Sequence, residues 1–406
     1  MRPKPGTGVK PRIVILGGAG AMGRIVVRDL QRTSRGKVRI VVADRDVSAA
    51  PRLRVETTQI DVTDSGSLRR ALDGAYATIA SLPYRYNLEA MHGALEAGAH
   101  YVDLGGLFHM TRRQLELAPE FERRGLMAIL GMGSAPGIVN VLATLAAHGL
   151  DAVREIHCLV GGIDRTRYRN MSPLWFGYSA DTLLDEFTMP SPVFRAGRFT
   201  TVPPLDPGER VAVHFPAPVG TIPVDTTIHS EVATLPLSFG DRGIREVTFR
   251  QGFDTEFRDR LSFLVQLGLA ETTALASSLS QGSNSSGIVP RDVLVALVGR
   301  FPPPVPIGKP HRYEVLRTVV GGTHRGRRVS VTADCRAGSN AGWGIGPDID
   351  TGAPPSIAVQ LMLSGEIKLR PGVWAPEQVV PAGPFVRELS RRAMRVTCRK
   401  RAVRRE

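Results

Sequence analysis

The chain has 406 residues, of which 42% are hydrophobic and 22% are charged. This length fits two or three domains, and the apolar fraction suffices to bury a core, so a disordered chain is excluded. No apolar run approaches the roughly 18 residues that a membrane helix needs. The short apolar stretch behind the basic N-terminus is interpreted as a first strand and not as a signal peptide. Three well-separated cysteines without metal-ligand spacing argue against a disulfide scaffold or a metal site and favour a reducing, cytoplasmic location.

The distribution of the net charge of +14 is more informative than its size. Residues 387–406 contribute +7 and residues 1–12 contribute +4, which leaves +3 for the remaining residues. We therefore expect basic, solvated tails at residues 1–10 and 397–406, and a small-molecule partner in preference to nucleic acid. No lysine occurs between residues 38 and 308, so that stretch offers no catalytic lysine.

Short apolar runs alternate with helical patterns over residues 11–145. The predicted strands are Arg12–Leu16, Val38–Ala43, Val55–Ile60, Tyr76–Ser81, Tyr101–Leu104 and Leu126–Leu130. The predicted helices are Met22–Arg32, Ser65–Leu72, Asn87–Ala97 and Thr111–Arg123. This alternation predicts an α/β fold with a parallel, doubly wound sheet.

Longer alternating runs with turns between them dominate residues 146–349. The predicted strands include Ile156–Val160 and Glu246–Arg250, with a hairpin over Tyr313–Thr332 that turns near Gly321 and Gly322. Helices are predicted at Ala180–Phe187 and Phe257–Leu267, and loops at Ser278–Gly287 and Phe301–Pro310. The mixture predicts a second α/β domain with a largely antiparallel sheet. Beyond it, residues 356–365 and 384–396 are predicted to be helical.

A glycine-rich motif lies between the first predicted strand and the first predicted helix. Its pattern is G-x-G-x-x-G, and its members are Gly18, Ala19, Gly20, Ala21, Met22 and Gly23. Gly18 is expected to permit a tight turn, Gly20 to let the backbone approach a pyrophosphate, and Gly23 to let the helix pack on its strand. The N–H groups at the start of such a helix favour phosphate. This context predicts a dinucleotide site over a simple glycine turn.

Two residues at the end of the second predicted strand bear on the choice of dinucleotide. Asp44 lies 21 residues after Gly23, where a carboxylate can bind the ribose hydroxyls and repel a 2′-phosphate. This favours NAD. The adjacent Arg45 can pair with that phosphate, so NADP stays open. The reaction must be inferred from other residues, because such motifs serve many reactions.

The second domain contributes a polar cluster between Val224 and Val232. If this segment is extended, Asp225, Thr227, His229 and Glu231 share one face of a strand. They then form either a site for an amine and a carboxylate or a solvated strand face. None of the seven tyrosines is followed four positions later by lysine, which excludes the usual acid-base pair of short-chain dehydrogenases.

Six segments along the chain resemble the saccharopine dehydrogenase family, and most closely its L-lysine 6-dehydrogenase branch. They are Gly18–Gly23, Tyr101–Gly106, Gly133–Asn140, Leu159–Ile163, Tyr178–Phe187 and Thr351–Leu361. The resemblance implies a Rossmann domain at residues 11–145, to which residues 350–396 return. It also implies that residues 146–349 form an inserted catalytic domain that builds a homodimer.

The resemblance further implies hydride transfer between NAD or NADP and a carbon that bears an amine or imine nitrogen. In the lysine 6-dehydrogenases, the carbon that bears the ε-amine is oxidised and the product semialdehyde cyclises. Two segments, His229–Leu235 and Trp175–Tyr178, depart from that branch. A saccharopine or carboxynorspermidine type of reductase is therefore a second hypothesis, and a nucleotide sensor without catalysis is a third.

Three loops at the expected carboxyl edge of the parallel sheet are candidates for cofactor and substrate contacts. Asp103 is expected to act on the substrate or to be a turn acid. Ser81, Leu82 and Pro83 are expected to meet the nicotinamide ribose or to form a plain turn. Ser134 and Pro136 belong to a loop whose free N–H groups are expected to hold the nicotinamide amide or a carboxylate, or to serve as a hinge.

Oxidation of an amine requires a base near the nicotinamide and a carboxylate for the substrate cation. His229 is the first candidate for the acid-base group, because an ordinary histidine titrates close to neutral pH. The alternative is a structural histidine. Glu231 is the candidate partner of the ammonium group, Tyr178 is a candidate for the pocket, and His109 is a second candidate for the acid-base group.

Overall fold

A computed structural model describes residues 10–48, 50–275, 287–339 and 348–403. The predicted loop at 278–287 lies outside these residues, except for Gly287. Residues 1–9 and 404–406 of the predicted tails also lie outside them. Within the described ranges, none of the helices has the length and apolar character needed to cross a membrane.

The first part of the chain alternates strands with helices. Its strands are β1 (Arg12–Leu16), β2 (Arg39–Asp44), β3 (Glu56–Gln59), β4 (Ala77–Ala80), β5 (His100–Asp103) and β6 (Met127–Ile129). Its helices are α1 (Ala21–Thr33), α2 (Ser65–Leu72), α3 (Asn87–Ala97), α4 (Phe108–Leu115), α5 (Ala118–Arg123) and α6 (Ile138–Ala147). The helix predicted over Thr111–Arg123 is thus two helices, interrupted where Leu117 caps α5 ahead of its proline.

Longer strands follow in the middle of the chain. The strands are β7 (Ala152–Asp164), β8 (Tyr168–Arg169), β9 (Ser191–Arg195), β10 (Arg198–Val202), β11 (Val211–His214), β12 (Thr221–Thr226), β13 (Glu246–Gln251), β14 (Val305–Pro306), β15 (Arg312–His324) and β16 (Arg327–Gly338). The helices are α7 (Ala180–Thr188), α8 (Glu231–Ser238), α9 (Thr255–Gln266) and α10 (Pro290–Gly299).

The C-terminal part adds three helices and two strands. They are α11 (Ile349–Ser364), β17 (Gly372–Trp374), α12 (Pro376–Val379), α13 (Ala382–Arg391) and β18 (Arg395–Ala402). The helical prediction for 384–396 is therefore right for its first part and wrong for its end.

The predicted fold class is confirmed, because the chain forms one parallel sheet and one mixed, largely antiparallel sheet. The parallel sheet has the order β17-β6-β5-β4-β1-β2-β3. The order reverses between β1 and β4, and in open α/β sheets ligands bind at the carboxyl ends of strands at such a reversal. The runs of fully buried residues in β1 and β4 fit strands that are covered on both faces.

The second sheet has nine strands, with β10-β9-β13-β7-β15-β16-β18 as its main path. Its neighbours are antiparallel except β13 and β7. β12 pairs with β13, and β11 pairs with β12. The predicted hairpin is present, but it turns at Arg325 and Gly326; Gly321 and Gly322 instead lie at an irregularity in the pairing with β7.

Helix α6 lies against the second sheet, where it packs on β15 and β16. Its residues are almost all buried, and the Thr318 hydroxyl donates to the Val139 carbonyl at 2.8 Å. Because α6 follows β6 directly, it holds the carboxyl edge of the parallel sheet beside one face of the mixed sheet.

The C-terminal segment contacts both sheets. β17 extends the parallel sheet beside β6, and α11 packs on α1. β18 pairs with β16 from Val329 opposite Ala402 to Arg336 opposite Arg395. The prediction that residues from 397 onward form a solvated tail is therefore wrong for 397–402, which complete the edge strand of a sheet.

Candidate active site

The glycine-rich loop between β1 and α1 is shaped for close backbone contacts. Gly17 is left-handed, with φ of +70°, and Gly18 lies in the same turn, where a Cβ atom would be 2.9 Å from the Val42 side chain. At Gly23, a Cβ atom would lie 2.2 Å from the Gly17 carbonyl oxygen, so glycine is required for α1 to pack on the loop. At Gly20, the N-cap of α1, a Cβ would approach that same oxygen at 3.2 Å and otherwise face open space.

The start of α1 and the end of β2 form one surface. Ala21 and Met22 lie in the first helical turn, where the N–H groups have no partners within the helix. The Ala19 amide donates to the Asp44 Oδ2 atom at 2.9 Å, which fixes the carboxylate beside the loop. Arg45 is exposed next to it. The loop, the helix N-terminus and the fixed acid fit an adenine dinucleotide.

The segment after β4 contacts this loop at the reversal point of the sheet. The Ser81 amide donates to the Leu16 carbonyl at 2.9 Å, and a Cβ at Gly17 would lie 2.3 Å from the Ser81 carbonyl oxygen. Leu82 packs on the core below, and Pro83 caps a short 3-10 turn. These residues therefore lie where the nicotinamide half of a dinucleotide is expected.

Asp103 is fully buried at the end of β5. Its Oδ1 atom accepts from the amides of Gly105 at 2.9 Å and Gly131 at 2.6 Å. Its Oδ2 atom accepts from the Tyr101 hydroxyl at 3.0 Å and the Gln114 amide group at 2.7 Å. Burial raises the pKa of Asp103, although these four bonds act in the opposite direction. The carboxylate thus joins the loops after β5 and β6, and its bonds leave little capacity for a substrate.

The loop before α6 is closed by its own hydrogen bonds. The amides of Gly133, Gly137, Ile138 and Val139 donate to Pro136, Asn140, Gly133 and Ser134 respectively. The prediction that these N–H groups are free for a ligand is therefore wrong. The Pro136 ring is wedged so closely that a Cβ at Gly105 or Gly131 would lie 2.5 or 2.6 Å from its Cγ atom. The Ser134 hydroxyl accepts from that of Thr351 at 3.1 Å.

The predicted polar strand face at 224–232 is not formed, because β12 ends at Thr226 and α8 begins at Glu231. Asp225 instead bonds to Arg210, with Nε to Oδ1 at 2.6 Å. Its side chain therefore belongs to a separate ion pair. His229 and Glu231 still come together, since the turn into α8 brings the His229 Nδ1 atom to the Glu231 carboxylate.

His229 and Glu231 are buried, with exposures of 6% and 0%. The His229 ring stacks on Phe249 of β13, with centroids 3.8 Å apart. Burial lowers the pKa of His229, but the charge and hydrogen bond of Glu231 and the charge of Glu186 outweigh it and raise that pKa above its ordinary value. In the described part of the chain, Glu231 Oε1 and Thr227 Oγ1 are buried without a hydrogen-bond partner.

Helix α7 adds Glu186, a residue that the sequence analysis missed. Its carboxylate accepts a hydrogen bond from the Tyr178 hydroxyl, which also accepts from the Gln251 amide at 3.2 Å. Burial raises the pKa of Glu186 to about 7, against the nearby His229 charge, which lowers it. The sequence did carry a signal for Glu186, because this acidic residue lies between Leu184 and Phe187, which are both buried residues of α7.

His109 lies in a neighbouring cluster. Its ring meets Tyr84 edge to face at 5.6 Å. The Tyr84 hydroxyl donates to Asp185 at 2.5 Å, and Arg291 binds the same carboxylate at 2.6 Å. Burial lowers the pKa of His109. Tyr84 follows β4, so this cluster links the carboxyl edge of the parallel sheet to α7.

The His229 cluster faces the carboxyl edge of the parallel sheet. Ser230 donates to the Gly106 carbonyl after β5, and the Thr111 hydroxyl donates to Ser230 at 3.0 Å. At the other side, burial raises the pKa values of Glu314 on β15 and Asp350 on α11. Buried carboxyl groups therefore occur beside His229 and also on β15 and α11.

Comparison with known proteins identifies the family. Residues 13–129 match the saccharopine dehydrogenase NADP binding domain, and residues 133–394 match the saccharopine dehydrogenase C-terminal domain. Apo histidine-tagged saccharopine dehydrogenase (L-Glu forming) from Saccharomyces cerevisiae is similar in fold. The TM-score is 0.70 at 18% identity, over 97% of this chain and 100% of that chain. GenD2 from gentamicin A biosynthesis, solved in complex with NAD, matches at 15% identity over 100% of both chains, with a TM-score of only 0.40.

The two family matches together cover nearly the full length of the chain, and they contain, in the same order, its cofactor loop and its pair of His229 and Glu231. They agree with the six motifs and with the pair of sheets. The chain is therefore a nicotinamide-dependent oxidoreductase that belongs to the saccharopine dehydrogenase family.

Proposed function

We propose that the protein transfers hydride between NAD(P) and a carbon that bears an amine or imine nitrogen of an amino acid. The model substrate is L-lysine, oxidised at the carbon that bears the ε-amine, as in the L-lysine 6-dehydrogenase branch; imine reduction is the reverse reaction. The bound nicotinamide supplies the hydride acceptor, and the protein supplies binding, orientation and proton transfer.

The carboxyl-rich cluster in front of the sheet edge carries this proposal. Glu186 and Glu231 are 1% and 0% exposed, and both lie close enough to His229 to shift its pKa. Two carboxyl groups and one imidazole favour a cationic ligand, because a buried charge is tolerated when it is paired. An amine substrate arrives as an ammonium ion and must lose a proton before hydride can leave.

The same cluster distinguishes the alternatives. Saccharopine carries two more carboxylates than lysine, which the buried carboxyl groups beside His229 disfavour, whereas carboxynorspermidine carries no more carboxylates than lysine and stays a second candidate. A nucleotide sensor has no need of buried titratable groups beside the nicotinamide position. Perturbed pKa values cluster at functional sites, so the catalytic proposal is favoured.

The cofactor proposal is NAD, with NADP as the alternative. Asp44 holds a fixed carboxylate beside the glycine-rich loop, which favours ribose hydroxyls over a 2′-phosphate. Arg45 is exposed and adjacent, so it can turn toward that phosphate.

We also propose that residues 11–145 and 350–396 form the cofactor unit and that residues 146–349 form the substrate unit and a homodimer interface. Phe263 on α9 and Leu267, which caps the end of that helix, are 60% and 62% exposed, which supports an interface there. Sedimentation equilibrium tests the homodimer directly, because it measures the mass of the protein in solution.

A spectrophotometric screen tests the function. Lysine, ornithine, saccharopine and polyamines are each mixed with the protein and NAD or NADP, and the absorbance of the reduced nicotinamide is followed. We expect reduction with a diamino acid. Cofactor binding without reduction by any amine favours the sensor.

A further inference from the structure

Tyr178 and Glu186 form a hydrogen-bonded pair in which the tyrosine is partly exposed and the glutamate is buried. We propose that this pair is the proton acceptor of the reaction: Tyr178 takes the proton from the substrate ammonium and passes its own hydroxyl proton to Glu186. The inference rests on the proposed amine oxidation and assigns its base to these two residues instead of His229.

The position of the pair suits a relay. Tyr178 is 40% exposed, whereas Glu186 is 1% exposed. The Tyr178 hydroxyl donates to Glu186 and accepts from Gln251 at 3.2 Å, so its proton already points at the carboxylate. A hydroxyl oxygen has two lone pairs, and the one that Gln251 leaves free can accept a proton from a ligand.

His229 is less suited to accept that proton. Its Nδ1 atom bonds to Glu231, and its ring is fixed by stacking on Phe249. Two carboxylates around one buried imidazole favour the imidazolium form, which has no basic lone pair. His229 is therefore a positioning residue that carries positive charge beside Glu186 and Glu231.

Helix α7 carries a second pair of an acid and a tyrosine, with which the pair of Glu186 and Tyr178 can be compared. Asp185 also accepts from a tyrosine, Tyr84, but Arg291 binds the Asp185 carboxylate at 2.6 Å and compensates its charge. In the described part of the chain, Glu186 forms no ion pair with arginine or lysine. The charged groups that act on Glu186 are His229, Asp185 and Glu231, and Glu314 acts on Tyr178. Glu186 therefore lacks the arginine partner that Asp185 has.

The step balances in atoms and electrons. One N–H bond of the ammonium group breaks, and its proton binds to the Tyr178 oxygen while the tyrosine proton moves to the Glu186 carboxylate. The nitrogen lone pair then forms the C=N bond as the neighbouring C–H bond breaks, and its electron pair leaves as hydride to the oxidised nicotinamide.

Single-turnover measurements of amine oxidation against pH test the relay. The wild-type rate is expected to fall below about pH 7, where Glu186 is protonated. Glu186→Gln and Tyr178→Phe are each expected to slow hydride transfer by about 100-fold. In Glu186→Gln the acidic limb is expected to disappear. Tyr84→Phe is the matched control and is expected to keep the wild-type pH profile.

A second readout does not depend on turnover. Infrared spectra of the protein with bound NAD are expected to show a carboxylic acid band that titrates near pH 7 and is absent from Glu186→Gln. The relay is overturned if that band is missing from the wild type, or if Tyr178→Phe oxidises amines at the wild-type rate with an unchanged profile. If the band is present but no amine is oxidised, the proposed reaction fails, and the relay with it.

Discussion

Asp185 and Glu186 are consecutive acids of α7 with different surroundings. Arg291 binds Asp185 at 2.6 Å, whereas the buried Glu186 carboxyl has its pKa raised to about 7. A carboxyl whose pKa is raised on folding stabilises the folded state most at low pH and loses that contribution as the pH rises through the raised value.

This difference predicts a pH-dependent effect of Glu186→Gln on stability. Below about pH 4.5 the variant and the wild type are expected to unfold with similar free energies, because Glu186 is neutral in both the folded and the unfolded wild type. Between about pH 4.5 and about pH 7 the wild type loses stability as the pH rises. Above about pH 7 the variant is expected to be more stable than the wild type by about 3 kcal/mol. Urea unfolding at several pH values measures the difference. The control Asp185→Asn is expected to destabilise at neutral pH, and a pH-independent effect of Glu186→Gln would contradict the account.

Asp103 is predicted to act mainly through structure. Asp103→Ala removes the acceptor for two backbone amides, the Tyr101 hydroxyl and Gln114, and is expected to cost about 3 kcal/mol of unfolding free energy. Denaturant unfolding measures it. Asp46→Ala, at an exposed turn acid, is the control and is expected to change stability by less than about 1 kcal/mol. Full stability of Asp103→Ala with lost turnover would instead support a direct catalytic role.

At the residue scale, the sequence was informative where chemistry follows from local context. Gly20, Gly23 and Asp44 could be assigned from their spacing and flanking elements. Glu186 could not, because its distinction from Asp185 depends on Arg291, which is distant in sequence.

The elements show a similar division between local and distant information. Strands such as β1 and helices such as α3 match their predicted ranges, because their periodicity is local. The segment 224–232 alternates like a strand but turns into α8 at Ser230, which Thr111 and Gly106 anchor from another part of the chain. A tertiary contact there overrides the local pattern.

β18 is expected to stabilise the second sheet, because it pairs with β16 at the edge of that sheet. Its basic side chains, among them Arg399, Lys400 and Arg401, are exposed on the edge strand, where charge discourages further strand pairing. Removing residues 395–406 exposes β16 and is expected to lower the melting temperature by several degrees. Removing only 404–406 is the control and is expected to have little effect. Equal melting temperatures for the two truncations would mean that β18 contributes nothing to stability.

At the scale of the whole molecule, one ion pair joins the two ends of the chain. Arg392, which is 1% exposed, bonds to both oxygens of Asp29 at 2.7 Å. Asp29 lies on α1, the helix that follows the glycine-rich loop. The C-terminal segment therefore supports the helix whose N-terminus is expected to bind the cofactor. The return of the C-terminal segment was expected from the family resemblance alone, because no local pattern specifies a contact between residues 363 positions apart.

Asp29→Ala is expected to cost about 3 kcal/mol of unfolding free energy, because the buried Arg392 guanidinium loses both of its bonds to Asp29 and keeps Glu388 as its carboxylate partner. Asp29→Leu combined with Arg392→Leu is expected to recover much of that loss. Thermal or urea unfolding of the three proteins provides the comparison. A double variant as unstable as Asp29→Ala would show that the loss reflects packing and not the missing carboxylate partner of Arg392.

The proposed reaction takes hydride from the carbon that bears the ε-amine of lysine, or from the corresponding carbon of a close diamino acid. The most direct measurement compares lysine with its analogue in which a hydroxyl replaces the ε-amine, by the appearance of reduced nicotinamide with NAD or NADP. We expect reduction with lysine or a close diamino acid and none with the hydroxyl analogue. Equal reduction by the alcohol, or reduction by the alcohol alone, would contradict oxidation at the carbon that bears the ε-amine.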